Sequence, residues 1–166
     1  MSRDESASPP SILEEIQQSK PFRSRSQEAY VALLRTADDS RRYISNVLEP
    51  EGVTLQQYNV LRILRGAGKS GVATLAIAER MLERTPGVTR LIDRMERKGW
   101  VERSRCTEDR RRVWCKITES GLSLLEKLDR PVSDVDDAFG DVLDEDELGT
   151  LVGYLDRLRV RFNRSG

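Results

Sequence analysis

The chain has 166 residues, 37% hydrophobic and 34% charged, with 28 Lys/Arg against 28 Asp/Glu and no histidine. That length fits one domain or one domain with extended arms, and the small apolar fraction points to a core completed by a second copy of the chain. The apolar runs are too short to span a membrane, the N-terminus lacks the apolar region of a secretory signal, and two cysteines are too few for a disulfide framework, so the expected location is cytoplasmic.

In chain order, residues 1–20 ("MSRDESASPPSILEEIQQSK") read as a flexible N-terminal arm. From Ser26 to about Leu48, apolar residues at Tyr30, Leu33, Leu34, Ala37, Ile44 and Leu48 recur at helical spacing, and Pro50 and Gly52 stop the helix. Thr54 and Gln57 form a capping box for the next helix, whose inward residues are Leu55, Tyr58, Leu61 and Ile63 or Leu64. "GAGKSG" is the loop that follows, and Thr74 caps a short helix over "LAIAERML". Thr85 caps the next helix, with Pro86 at the position where a missing N–H costs nothing. Val88, Leu91, Ile92 and Met95 form its inward stripe, Arg90, Asp93, Arg94 and Arg97 its opposite face, and Gly99 its stop. "WVERSRC" and "RVWCKIT" are short β-type runs joined by the hairpin loop "TEDRR". Thr118 caps a long helix that Pro131 should bend, and Asp144 and Glu147 box the start of the last helix. That last helix places Leu148, Leu151, Val152, Leu155, Leu158 and Phe162 on one side.

The balanced charge hides a segregated one. Residues 79–116 carry twelve Lys/Arg and seven Asp/Glu, whereas residues 117–166 carry six and twelve. The basic block coincides with the third long helix and the hairpin. Two helices, a third with a basic outer face, then a hairpin is the order of a winged helix-turn-helix. The fold class is therefore mostly α, with a small β-hairpin wing.

Three segments carry a family resemblance: "VTLQQYNVLRIL" at 53–64, "TPGVTRLIDRMERKGWVER" at 85–103 and "EDRRRVWCKITESG" at 108–121. In this combination and order the chain from about Ser26 to Val160 resembles the MarR family (multiple antibiotic resistance regulators) of bacterial transcription factors. The resemblance implies a homodimer on double-stranded DNA, with N- and C-terminal dimerisation helices. It divides the chain into the arm (1–20), an N-terminal dimerisation region (21–50), a DNA-binding domain (51–118) and C-terminal dimerisation helices (119–166). It puts the recognition helix at about 86–98 and the wing loop at about 107–112. Thr85, Pro86, Gly87, Thr89, Arg90 and Arg94 are then the expected groove or phosphate contacts. Asp109 and Arg111 form the wing pair, Arg112 adjoins it, and either Arg110 or Arg111 reaches the minor groove. Pro86-Gly87 replaces the polar pair that many members carry before "VTR", which shifts the hydroxyl contacts to Thr85 and Thr89.

The physics agrees with these roles. A helix fits the major groove, and guanidinium groups bind guanine edges or phosphates bidentately. By themselves Arg90, Arg94 and Arg97 equally describe a solvated helix face; the family pattern turns them toward DNA. Asp93 is expected to pair with a neighbouring arginine, and Val88, Leu91, Ile92 and Met95 belong to the core. The family also implies a pseudo-palindromic operator, repression by promoter occlusion, and release by a small, often aromatic, effector. Tyr30, Arg35, Tyr58 and Arg62 lie on the helices that would border an effector cavity.

Two alternatives stand beside this reading. Cys106 and Cys115 flank the hairpin loop, and as cross-strand neighbours near Arg105 they would suit a redox-switched regulator. A helical interaction module without DNA binding is the other. An enzyme is not expected. The chain has no histidine, "GAGKSG" lacks the spacing of a phosphate-binding loop, and the acids at 134, 136 and 137 miss a calcium-loop pattern. No metal or cofactor is expected.

Overall fold

The computed structural model describes residues 10–83, 87–105 and 113–164. The chain divides into two units between Tyr43 and Ile44.

The first unit holds a helical turn within the stretch read as an arm. Ile12–Glu15 form a helical turn, α1, because Ser11 and Glu14 make a capping box. The Ser11 N–H donates to the Glu14 carboxylate at 2.8 Å, and the Glu14 N–H donates to the Ser11 hydroxyl at 3.4 Å. These bonds to Ser11 favour the ionised carboxylate and lower its pKa. Helix α2 runs from Arg25 to Leu48. Arg35 on α2 donates from Nε to Glu15 at 2.7 Å and lies 3.1 Å from Asp39. Tyr30 and Leu34, on the apolar spacing of α2, and Tyr43 beside it are about half exposed.

The second unit begins in the last residues of α2. A 3-10 turn at Glu49–Glu51 ends on Gly52, which has a positive φ of 64° and whose N–H donates to the Glu49 carbonyl at 2.8 Å. Helix α3, Leu55–Ala67, has the expected capping box. Gln57 is buried without penalty because its side-chain oxygen accepts the Thr54 N–H at 3.0 Å. After a 3-10 turn at Gly68–Ser70 comes a strand that the pattern did not announce, β1, Val72–Ala73. Helix α4 follows, Thr74–Arg80. Thr74 is its first residue and not its cap; the hydroxyl donates instead to the Val113 carbonyl at 3.3 Å.

Helix α5, Val88–Arg97, starts from Gly87 in the left-handed conformation, φ 85°. The expected cap at Thr85 and first position at Pro86 lie outside the described residues. Gly99 ends α5 in a Schellman arrangement: its N–H donates to Glu96 at 2.9 Å and the Trp100 N–H to Met95 at 3.0 Å. Strands β2, Val101–Arg105, and β3, Val113–Ile117, pair antiparallel with Val101 opposite Ile117. With β1 they make a three-stranded sheet in the order β1-β3-β2, not a bare hairpin.

Thr118 caps α6, Glu119–Gly140, and Pro131 lies inside this single helical span. Asp144 and Glu147 box the start of α7, Glu145–Asn163. The core joins Leu61 and Leu64 of α3, Ile77 of α4, Ile92 and Met95 of α5, Val101 and Cys115 of the sheet, and Leu125 and Leu128 of α6. All four residues of the α5 stripe are buried, as their i, i+3, i+4, i+7 spacing requires. A two-pronged ion pair from Arg65 to Asp129, both bonds 2.9 Å, ties α3 to α6. Helix α7 buries no residue: Leu148, Leu151 and Leu155 are half-buried, and Val152, Leu158 and Phe162 are exposed.

Candidate nucleic-acid interface

The basic face of α5 is built from its burial pattern. With Val88, Leu91, Ile92 and Met95 locked in the core, Thr89, Arg90, Arg94 and Arg97 are turned to solvent. Gly87, Arg90, Asp93, Arg94 and Arg97 line an open groove of about 760 Å³. Arg97 is partly engaged, donating from Nε to the Asp93 carbonyl at 3.3 Å. Arg90 and Arg94 make no ion pair among the described residues. Their charge is therefore available to a ligand, and a polyanion is what such a groove attracts.

The two carboxylates of α5 are occupied. Arg103 on β2 reaches Asp93 from Nη1 at 2.7 Å, and Glu96 from Nη2 at 2.5 Å and Nε at 3.0 Å. Its backbone N–H also donates to Glu96 at 3.2 Å. The Arg103 hydrogen bond holds the Glu96 pKa below the usual range, and the same bond raises that of Arg103. The expected pairing of Asp93 with an arginine is present, and its partner comes from the sheet. Glu96 was not singled out in the sequence. Its signal is an acid three residues after Asp93 with an arginine seven further on, across the Gly99 turn.

The approach to α5 is held from α3. Asn59 accepts the Leu82 N–H at 2.9 Å, and Gln56 donates to Glu83 at 3.2 Å. At the other end of α5, Lys98 donates to the Gly52 carbonyl at 3.0 Å and its ammonium sits 4.1 Å from the Trp100 ring centre. These polar braces carry no periodicity and were not legible in the sequence.

Of the other predicted residues, Thr85, Pro86, Cys106, Asp109, Arg110, Arg111 and Arg112 lie outside the described residues. Tyr58 and Arg62 are brought together: the guanidinium donates from Nη1 to the buried tyrosine hydroxyl at 2.8 Å. Tyr30 and Arg35 belong to the first unit, where Arg35 is engaged by Glu15 and Asp39.

Cys115 differs from the redox expectation. Arg103 of β2 and Val72 of β1 stand opposite it, so the cross-strand position is not that of Cys106. The side chain is fully buried, and desolvation pushes its thiol up to about 11, the reverse of a sensing thiolate. Thiol reagents should therefore label Cys115 only after denaturation. Its raised pKa also makes stability pH-dependent. The thiol is protonated in both states below its ordinary value of 9.0, and above that the unfolded chain ionises first. Stability should fall between pH 9 and about 11, more steeply than in Cys115→Ala, as read from denaturant midpoints.

Among the described residues no group of three His, Cys, Asp or Glu side chains could hold a metal ion, and no helix is long and apolar enough to cross a membrane. A basic helix braced by a neighbouring helix, with a small sheet behind it, defines a winged helix protein of the DNA-binding class.

The particular family follows from likeness. The MarR family profile matches residues 53–113. The multiple antibiotic resistance protein MarR of Salmonella typhimurium is 30% identical over 118 residues, 70% of this chain and 81% of that protein. A mutant MarR from E. coli complexed with operator DNA is similar in structure, with TM-score 0.69 and 26% identity over 76% of this chain and 90% of that one. NadR in complex with 4-hydroxyphenylacetate is similar too, with TM-score 0.66 and 25% identity over 84% and 97%. The chain belongs to the MarR family of transcription regulators, which bind DNA and are not enzymes.

Proposed function

We propose that the chain is a homodimeric, sequence-specific repressor acting in the cytoplasm, released from its operator by a small aromatic ligand. The observation that carries the DNA site is the contrast on α5: Arg90 and Arg94 without an ion pair among the described residues, Asp93 and Glu96 occupied by Arg103. In this reading α5 enters the major groove. Thr85, Pro86, Gly87 and Thr89 lie at its leading end, and Arg90 and Arg94 hold base edges or phosphates. Asp109 and Arg111 form the wing pair with Arg112 beside it, and Arg110 or Arg111 enters the minor groove. The likeness to an operator complex supports this docking.

The test is affinity for a duplex from around the protein's own gene against a random duplex, across a salt series. Specific binding tighter by about a thousandfold, with a steep salt slope, is expected. Binding to neither duplex at low salt would instead favour an interaction module.

Residues 51–118 are assigned to DNA binding, and residues 21–50 and 119–166 to dimerisation. The half-exposed side chains of α2 and the unburied stripe of α7 support a second copy, because a lone chain leaves both in water. Leu151→Glu with Leu155→Glu should convert the dimer to monomer in light scattering. The operator complex should weaken with it, since each monomer reads only one half-site.

The ligand reading rests on Tyr58 and Arg62, a phenol and a guanidinium in contact, and on the likeness to a protein holding 4-hydroxyphenylacetate. Titrating that compound into the operator complex, with Arg62→Ala as control, tests it.

A further inference from the structure

We infer that Arg103 is a positioning residue of the DNA site: it takes Asp93 and Glu96 out of play so that Arg90 and Arg94 meet phosphate unopposed. The inference rests on the DNA-binding reading above and assigns a role to a residue that does not itself lie on α5.

The geometry of α5 creates the need for such a residue. Its solvent side carries three arginines, Arg90, Arg94 and Arg97, interleaved with two carboxylates, Asp93 and Glu96. Asp93 lines the same groove as the arginines. A free carboxylate there would repel the phosphates that its neighbours attract, and would compete for their guanidinium groups. Helical spacing makes that competition direct for Asp93, which stands three residues after Arg90 and four before Arg97.

Arg103 removes the conflict by reaching over from the sheet. One nitrogen bonds Asp93 and two bond Glu96, at 2.5 to 3.0 Å, and its own N–H adds a fourth bond to Glu96. A planar fork with five donors holds both carboxylates at fixed angles, a geometry that the point charge of an ammonium does not reproduce. The position is fixed by register: Arg103 sits opposite the fully buried Cys115, so its strand cannot slide without moving the core. The same bonds join α5 to β2 and so set the wing strand against the recognition helix.

A thermodynamic cycle separates this role from a merely structural one. The proteins are the unmodified chain, Arg103→Met, Asp93→Asn with Glu96→Gln, and all three substitutions together. The probe is a labelled duplex enriched from a random pool by the unmodified protein, read by anisotropy, with melting midpoints measured in parallel. Arg103→Met should bind at least about tenfold more weakly, because both carboxylates are then free. The Asp93→Asn, Glu96→Gln protein should stay within about threefold of the unmodified one, because Arg103 already screens those charges. The triple variant should return to within about threefold as well. A triple variant as weak as Arg103→Met, or an Arg103→Met that binds normally, overturns the inference.

If Arg103→Met does not fold, Arg103→Lys decides, since it keeps the charge and loses the fork. A loss of at least about threefold, restored by adding Asp93→Asn, supports the role; unchanged binding overturns it. Failure of the DNA reading itself looks different: the unmodified protein would enrich no duplex from the pool.

Discussion

Gly121→Ala should cost about 3 kcal/mol or more of unfolding free energy, read from denaturant midpoints. A methyl group at this position on α6 would be driven into the Trp100 carbonyl oxygen and would lie 2.8 Å from Ile117 Cγ1. The backbone neighbour is not free to yield. The Trp100 carbonyl accepts the Thr118 N–H at 3.1 Å, and the Trp100 N–H is committed to Met95 at 3.0 Å. Relief requires breaking the Schellman turn after α5 or pulling α6 from its Thr118 cap. Gly66→Ala is the matched control, because nothing lies within 4 Å of its added methyl group on the exposed side of α3. It should stabilise the protein by about 0.5–1 kcal/mol through helix propensity alone.

Arg90→Ala combined with Arg94→Ala should weaken the specific DNA complex about a hundredfold and flatten its salt dependence. Both side chains face the open groove without an ion pair among the described residues, so their removal leaves no buried partner stranded. Folding should be unaffected, as surface substitutions away from packed or capped positions usually are. Arg97 makes a useful comparison. It already donates to the Asp93 carbonyl and stands in the last turn of α5, so Arg97→Ala should cost less than either of the others.

Much of this architecture was readable because it rests on local rules. The capping boxes at Thr54 and Asp144, the four-residue stripe of α5 and the glycine after it each follow from spacing within a few residues. The misses have a common cause, which is dependence on a distant partner. The strand at Val72–Ala73 exists only because β3 offers it a ladder, and two residues leave no periodicity. Thr74 looked like a cap, but a β3 carbonyl thirty-nine residues away claims its hydroxyl. Cys115 looked like half of a pair across a loop, and the observed register places Arg103 there instead. The Asp93 partnership was legible in kind, while the bridging of two acids by Arg103 required the sheet to be placed behind α5.

The order β1-β3-β2 has a consequence for how copies of this chain can meet. Strand β3, apolar but for Lys116, lies in the centre, and both its sides are already paired. On one flank the edge is only Val72–Ala73, too short to template a foreign strand. The other edge, β2, carries Glu102, and its Arg103 N–H is already bonded to Glu96, which leaves less of that edge open to strand addition. The sheet is thus protected against edge-to-edge aggregation. In the homodimer proposed above, association would fall to the helices, where a two-fold contact closes on itself.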